Sequence, residues 1–250
     1  MSREILPASS TPAAHVSLES RSAPASLSGQ GIVLCGGRSR RMGAEKYRLP
    51  VGEFTALECV VQAMLPVTDQ VLIIGAAGQT IPRFPEQVTF LVDEEPDGGP
   101  LAGMAVGLRE LQRRQASGPV LLSGCDIPLL RPELLRFLLS RLDDAAGAAI
   151  VSDGIRPQPM PGCYRLSVSE RVTQLLARGE RSLQSLIASV CTRLIPMEEV
   201  RPFDPALEAF RPMNTPEEYQ SLLMRLPSDN PSSSQSFSEP ETSVSASGPV

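Results

Sequence analysis

Apolar positions along this chain fall into two alternating forms. Short unbroken runs at 31–35 (GIVLC), 70–75 (QVLIIG), 88–92 (VTFLV), 119–123 (PVLLS) and 148–152 (AAIVS) predict strands buried on both faces. Between them, residues 55–67, 100–115, 132–142, 168–178, 182–189 and 216–225 carry apolar residues at helical spacing, and Pro100 suits the first turn of its helix. Two proline-bearing segments, 158–164 and 192–196, read as extended. Strands alternating with helices of this length predict an α/β fold around a mostly parallel central sheet. Ligands of such sheets bind outside the carboxyl ends of the strands, which tells where chemistry is to be sought.

The pattern fades at both ends. Residues 1–29 are rich in Ser, Pro and Ala and residues 227–250 in Ser, Pro and acidic types, so both are expected to be disordered arms around one domain at 30–226. The formal net charge of the 250 residues is -5. The first thirty residues balance, and the tail holds three unpaired acids (Asp229, Glu239, Glu241), so the domain itself is nearly neutral. That gives no electrostatic footprint for nucleic acid. Five scattered cysteines with no C-x-x-C pair predict neither a disulfide framework nor a zinc site. No apolar stretch has the length of a membrane span and no secretory leader is evident, so a cytoplasmic protein is expected.

Candidate chemistry gathers where the strands end. The first strand runs straight into Cys35-Gly36-Gly37-Arg38-Ser39-Arg40-Arg41-Met42-Gly43-Ala44-Glu45-Lys46. Its paired glycines let backbone amides approach an anion, and Arg41 and Lys46 would neutralise phosphate oxygens. Neither the Walker A spacing nor G-x-G-x-x-G fits, and glycines alone suit an ordinary strand-to-helix turn equally well. Lys46, however, is the only lysine among 23 basic residues. A rotatable ammonium differs in function from a guanidinium fork, and the chain places its one ammonium in this loop.

Asp126 follows the fourth strand and would suit Mg²⁺, which takes one or two carboxylates plus substrate phosphates and water. Taken alone it reads first as an Asx-turn or helix cap. Asp93 closes the third strand ahead of a Gly98-Gly99 pair, and by itself suits an acidic solvent loop. Gly103 and Gly107 are read as allowing close helix packing. The one histidine, His15, lies in the first arm, which leaves carboxylates, Arg, Lys and backbone amides to act in the domain. Those are the tools of phosphoryl and nucleotidyl transfer.

Together these segments resemble the molybdenum cofactor guanylyltransferase family, within the broader MobA-like nucleotidyltransferases. The resemblance rests on Leu34 through Lys46, on Asp93 with Gly99-Pro100-Leu101-Ala102-Gly103, on Cys125-Asp126-Ile127-Pro128 and on Met213-Asn214-Thr215-Pro216-Glu217. It implies a Rossmann-like three-layer sandwich of the nucleotide-diphospho-sugar transferase type. It also implies transfer of GMP from GTP, with Mg²⁺, to the terminal phosphate of molybdopterin, releasing pyrophosphate. Carried over by position, Leu34, Cys35, Gly36, Gly37, Lys46, Asp93 and Asp126 would bind GTP, and Asp126 the metal. Arg41, Lys46 and Asp126 would act in catalysis. Arg156, Gln158, Arg181 and Asn214 are assigned to the pterin side. Further partners expected from the resemblance are other molybdenum cofactor biosynthesis proteins or apo-molybdoenzymes.

Three positions depart from the family pattern. Cys35 replaces a small Ala, Glu45 replaces Asp, and Gly75 stands where an Asn is common, so one nucleotide contact must come from elsewhere. Competing readings are a cytidylyltransferase acting on molybdopterin or another small phosphate, and a non-catalytic nucleotide-binding accessory protein.

Overall fold

The structure is a computed structural model describing residues 28–36, 45–93, 95 and 98–226. Both arms, apart from the last residues of the first, lie outside the described residues, as do Gly37 and Arg41.

The chain opens with β1 (Gly29–Leu34), a small hairpin of β2 (Pro50–Val51) and β3 (Phe54–Thr55), and α1 (Ala56–Met64). It continues through β4 (Thr68–Gly75), β5 (Val88–Val92), α2 (Gly99–Arg113), β6 (Pro119–Gly124) and α3 (Pro132–Arg141). The last part holds β7 (Ala148–Ser152), β8 (Pro157–Arg165), α4 (Ser169–Ala177), α5 (Leu183–Ile187), β9 (Thr192–Pro196), α6 (Met197–Val200) and α7 (Pro216–Met224). Seven strands form one sheet in the order β5-β4-β1-β6-β8-β7-β9. All pairings are parallel except those of β8, which runs against both β6 and β7.

That exception has a local cause. Only four residues separate β7 from β8, too few for the crossover that a parallel pair requires. Asp153 closes the turn, its Oδ1 accepting from Ile155 N at 2.8 Å and Arg156 N at 2.7 Å.

The pleat of β1 divides the core. Val33 faces the layer of α1 and α3, with Leu57, Val60, Val61, Leu134 and Leu138. Ile32 faces the layer of α2, α4 and α5, with Leu101, Met104, Leu108, Val172 and Leu186. Helices therefore cover both faces, and the expected three-layer α/β architecture is what forms. Among the described residues no helix is long and apolar enough to cross a membrane.

Boundaries shift for identifiable reasons. β1 begins at Gly29 rather than Gly31, because Gly29 already pairs with Thr68 of β4. Gly29, drawn above as the last residue of an arm, is thus part of the sheet. The helix expected over 55–67 stops at Met64 and tightens into a 3-10 turn containing Pro66. The β2–β3 hairpin and α6 are too short to show a periodicity, and the sequence pattern does not reveal them. Capping is as the composition allows: Thr55 with Glu58 and Thr215 with Glu218 form reciprocal boxes at α1 and α7.

Gly107 lets α2 lie close on β1. A Cβ there would sit 2.6 Å from Ile32 Cδ1 and 3.2 Å from Ile32 Cγ2, against a side chain with no exposure. Gly107→Ala should therefore destabilise the domain by about 1–3 kcal/mol through overpacking. Urea unfolding measures this; a variant as stable as the parent would show that α2 has room to move.

Candidate active site

The carboxyl ends of β1, β4 and β6 open into a cavity of about 650 Å³, within the size range of small-molecule sites. β1 contributes Leu34, with Cys35 and Gly36 beyond it, and the turn after β4 contributes Ala76 to Gln79. Gly124, Cys125 and Asp126 enter from the end of β6, Asp93 from the end of β5, and Gly99, Pro100 and Gly103 from the start of α2. Ile74 of β4, with Glu45, Lys46, Tyr47 and Met160, completes the lining. Among the described residues nothing lies within 4 Å of a Cβ built on Gly36.

At one end stand the ammonium of Lys46 and the carboxylate of Asp126. Lys46 Nζ donates to Asn214 Oδ1 at 2.6 Å. Asn214 is brought there by the segment before α7: Met213 N donates to Asp126 O at 2.9 Å, and Glu218 Oε2 accepts from Asn214 N at 2.6 Å. Met213 is itself 1% exposed, so the segment is anchored by packing as well. Burial raises the Asp126 carboxyl above its ordinary range, while nearby Lys46 pulls it back. A side chain at position 124 would collide with Asp126 Oδ1, so Gly124 leaves the carboxylate its space.

No group of three or more metal-ligating side chains exists among the described residues. A divalent cation held here would rest on the single carboxylate of Asp126, with the rest of its shell from substrate phosphates and water. That donor set fits Mg²⁺ and would not retain a soft transition metal.

The far end is built around Gly75. Asp93, 9% exposed, donates its N–H to Gly75 O at 2.7 Å, and its Oδ1 accepts from Glu95 N at 3.0 Å. Gln79 Nε2 donates to Cys35 O at 3.1 Å, and Gln79 Oε1 accepts from Ala76 N at 3.0 Å. Gly99 has φ +74°, and a Cβ there would sit 2.7 Å from Arg181 O, so the entry to α2 requires glycine. Gly103 serves two ends: it faces Leu34 Cδ2, where a Cβ would come within 3.1 Å, and it also lines the cavity.

Cys35 and Cys125 lie side by side, and all five cysteines are free. A hydrogen bond from its thiol to Cys125, together with burial, holds the Cys35 thiol far above the ordinary range, so it is no nucleophile at neutral pH.

Leu34, Cys35, Gly36, Lys46, Asp93 and Asp126, each singled out from sequence, thus line one cavity. Asn214, assigned above to the pterin side, accepts from Lys46 at the cavity's edge. Arg156, Gln158 and Arg181 do not line this cavity. Arg156 is exposed in the β7–β8 turn, and Gln158 sits opposite Val151. Arg181 borders a second cavity of about 610 Å³, its Nη1 donating to Leu176 O and Glu180 O. Sequence reasoning missed Gln79, Tyr47 and Met160. Gln79 had a signal, since it follows the second strand where the sheet rule places ligand groups; the other two had none.

Comparison with known proteins agrees with this geometry. Residues 31–194 match the MobA-like NTP transferase domain. The chain is 33% identical over 173 residues to the "Probable molybdenum cofactor guanylyltransferase" of Mycolicibacterium paratuberculosis, covering 68% of this chain and 86% of that one. It is 31% identical over 193 residues to the protein of the same name from Methanothermobacter thermautotrophicus, covering 74% and 94%. Molybdopterin-guanine dinucleotide biosynthesis protein A from Archaeoglobus fulgidus shares the fold, with a TM-score of 0.63 at 23% identity over 78% of this chain and 97% of that one. The chain belongs to the MobA-like NTP transferase family.

Proposed function

We propose that this protein transfers GMP from GTP to the terminal phosphate of molybdopterin, forming molybdopterin guanine dinucleotide and releasing pyrophosphate. One observation carries the reading. Lys46, the chain's only lysine, and Asp126, a half-buried carboxylate that feels its charge, both line a nucleotide-sized cavity at the strand ends. The names of the relatives supply the guanine and the acceptor.

In this reading an oxygen of the acceptor's phosphate attacks the α-phosphorus of GTP. The bond to the β-phosphate oxygen breaks, and pyrophosphate leaves with the electron pair. The protein supplies no nucleophile; it positions and neutralises. Lys46, steadied by Asn214, faces the triphosphate, and Arg41 from the glycine loop balances charge on the leaving pyrophosphate. Asp126 would hold Mg²⁺, which when bound offsets the negative charge of the phosphates. Asp93 receives the nucleoside end. Arg156, Gln158, Arg181 and Asn214 remain the proposed contacts for the pterin side. Scattered cysteines without a disulfide framework and a reaction that draws on GTP support a cytoplasmic enzyme, with other molybdenum cofactor biosynthesis proteins or apo-molybdoenzymes as proposed partners.

GTP with Mg²⁺ should raise the melting temperature of the purified protein, and CTP with Mg²⁺ should not. Stabilisation by CTP alone would favour a cytidylyltransferase instead. Lys46→Ala should weaken GTP binding about ten- to a hundredfold, the worth of a charge-assisted contact, in a calorimetric titration. An unchanged affinity would remove the lysine from the phosphate site.

Asp126→Asn should cut turnover at least about a hundredfold, read as pyrophosphate release with GTP and molybdopterin. Its stability should move the other way. A carboxyl raised in the folded state opposes folding, a penalty that sets in as pH rises from its ordinary value through the raised one and is complete above it. Asparagine removes that penalty, so without metal the melting temperature at pH 7 should hold or rise. A large fall would make Asp126 a structural cap rather than a metal ligand.

A further inference from the structure

A glycine ends β4, and the side chain of another residue occupies the space its own would fill. A Cβ built on Gly75 would collide with Gln79 Oε1 and sit 2.7 Å from Phe90 Cε2. Gln79 follows a tight turn in which Gly78 has φ +79°, so the chain reverses and the glutamine folds back over Gly75. Its carboxamide then bridges two strand ends, donating to Cys35 O beyond β1 and accepting from Ala76 N beyond β4.

Those two partners fix the orientation of the amide. Ala76 N–H can only donate and the Cys35 carbonyl can only accept, so the carboxamide cannot flip without losing both bonds. One Nε2 proton and one Oε1 lone pair have no partner among the described residues, and Gln79 lines the cavity. Close by, Asp93 is tied to Gly75 O through its N–H, and its Oδ1 is engaged by Glu95 N, while its Oδ2 has no hydrogen-bond partner among the described residues. This end of the cavity thus sets a fixed amide donor near a carboxylate acceptor. Lys46 and Asp126 take the phosphates at the other end, so the base lies here.

A purine with a 6-oxo group offers an acceptor beside an N–H donor, which complements such a pair. A 6-aminopurine offers a donor beside an acceptor, and cytosine does the same; both would set like against like.

We propose that Gln79 is the residue that selects the nucleobase, donating its second Nε2 proton to the 6-oxo group of a guanine-type base. The contact is made from the space that a side chain at position 75 would otherwise enter. This assignment rests on the nucleotide reading of the cavity and adds to it the origin of base choice. Gln79 is a specificity-determining residue and takes no part in bond making.

Binding of GTP, ITP, ATP and inorganic tripolyphosphate, each with Mg²⁺, to wild type, Gln79→Ala and Gln79→Glu tests it by calorimetry. Gln79→Glu keeps an acceptor for Ala76 N but removes the donor. Both variants should lose about tenfold in affinity for GTP and ITP, the two 6-oxopurines, and keep their affinity for ATP and tripolyphosphate. In turnover the loss should appear in KM for GTP, with kcat nearly unchanged. An equal loss for all four probes would make Gln79 a tie between loops and nothing more, and unchanged GTP affinity would also overturn the proposal. A wild type that binds tripolyphosphate and no nucleotide better would bring down the nucleotide reading itself, a result distinct from failure of Gln79 alone.

Discussion

The parallel pairing of β1 with β4 on one side and β6 on the other is the constraint from which the site follows. Leu34 lies opposite Ile74 and opposite Gly124, so the three strands end at one level. The ladder continues one step past the strands, with Cys35 N donating to Ile74 O at 2.7 Å and Cys125 N to Leu34 O at 3.1 Å. Residues leaving those ends have nowhere to go but side by side. A slip of one residue in either pairing would send Asp126 or the glycine loop to a different height and reverse which side chains face each helix layer. The apolar faces of β1, buried on both sides, oppose any such slip.

On that floor the chemistry is assembled with few parts. One ammonium and one carboxylate line the same cavity, and neither comes from an element that is near the other in sequence. Lys46 is held by Asn214, which lies 168 residues away. The segment that delivers Asn214 is fastened by Met213 N to the backbone of Asp126, and its helix is capped by Glu218. The capping box of α7 therefore sets the place of a group in the site as well as starting a helix. Asp126 works against the fold while it does so, since its burial disfavours the charge that makes it useful. The surrounding aliphatic core offsets that cost.

Departures from the family pattern make sense in this frame. Gly75 gives up a side chain at the end of β4, and Gln79 supplies a carboxamide to the same space from the following turn. Cys35 sits against Cys125 in the buried floor of the cavity, where its thiol stays protonated and acts as a small apolar filler in place of alanine. Glu45, longer than aspartate, reaches its neighbours: Tyr47 Oη donates to its Oε2 at 3.1 Å, and Arg48 pairs with it at 3.4 Å. These are local exchanges that keep volume and hydrogen bonding while changing which residue provides them.

The sequence by itself determined the α/β class, the strands and helices longer than four residues, the strand ends as the place of chemistry, and Lys46, Asp93 and Asp126 as candidates. It could do so because burial on both faces and on one helical stripe leaves distinct periodicities, and because a solitary lysine and strand-end aspartates are visible in one dimension. Only the tertiary structure decided that β8 enters the sheet in reverse, that Asn214 meets Lys46, that Gln79 fills the place beside Gly75, and that Arg156, Gln158 and Arg181 stand apart from the first cavity. Periodicity reports how one element meets its surroundings. Which side chains from different strands converge depends on register and on where each loop turns back, and those are set by packing between elements.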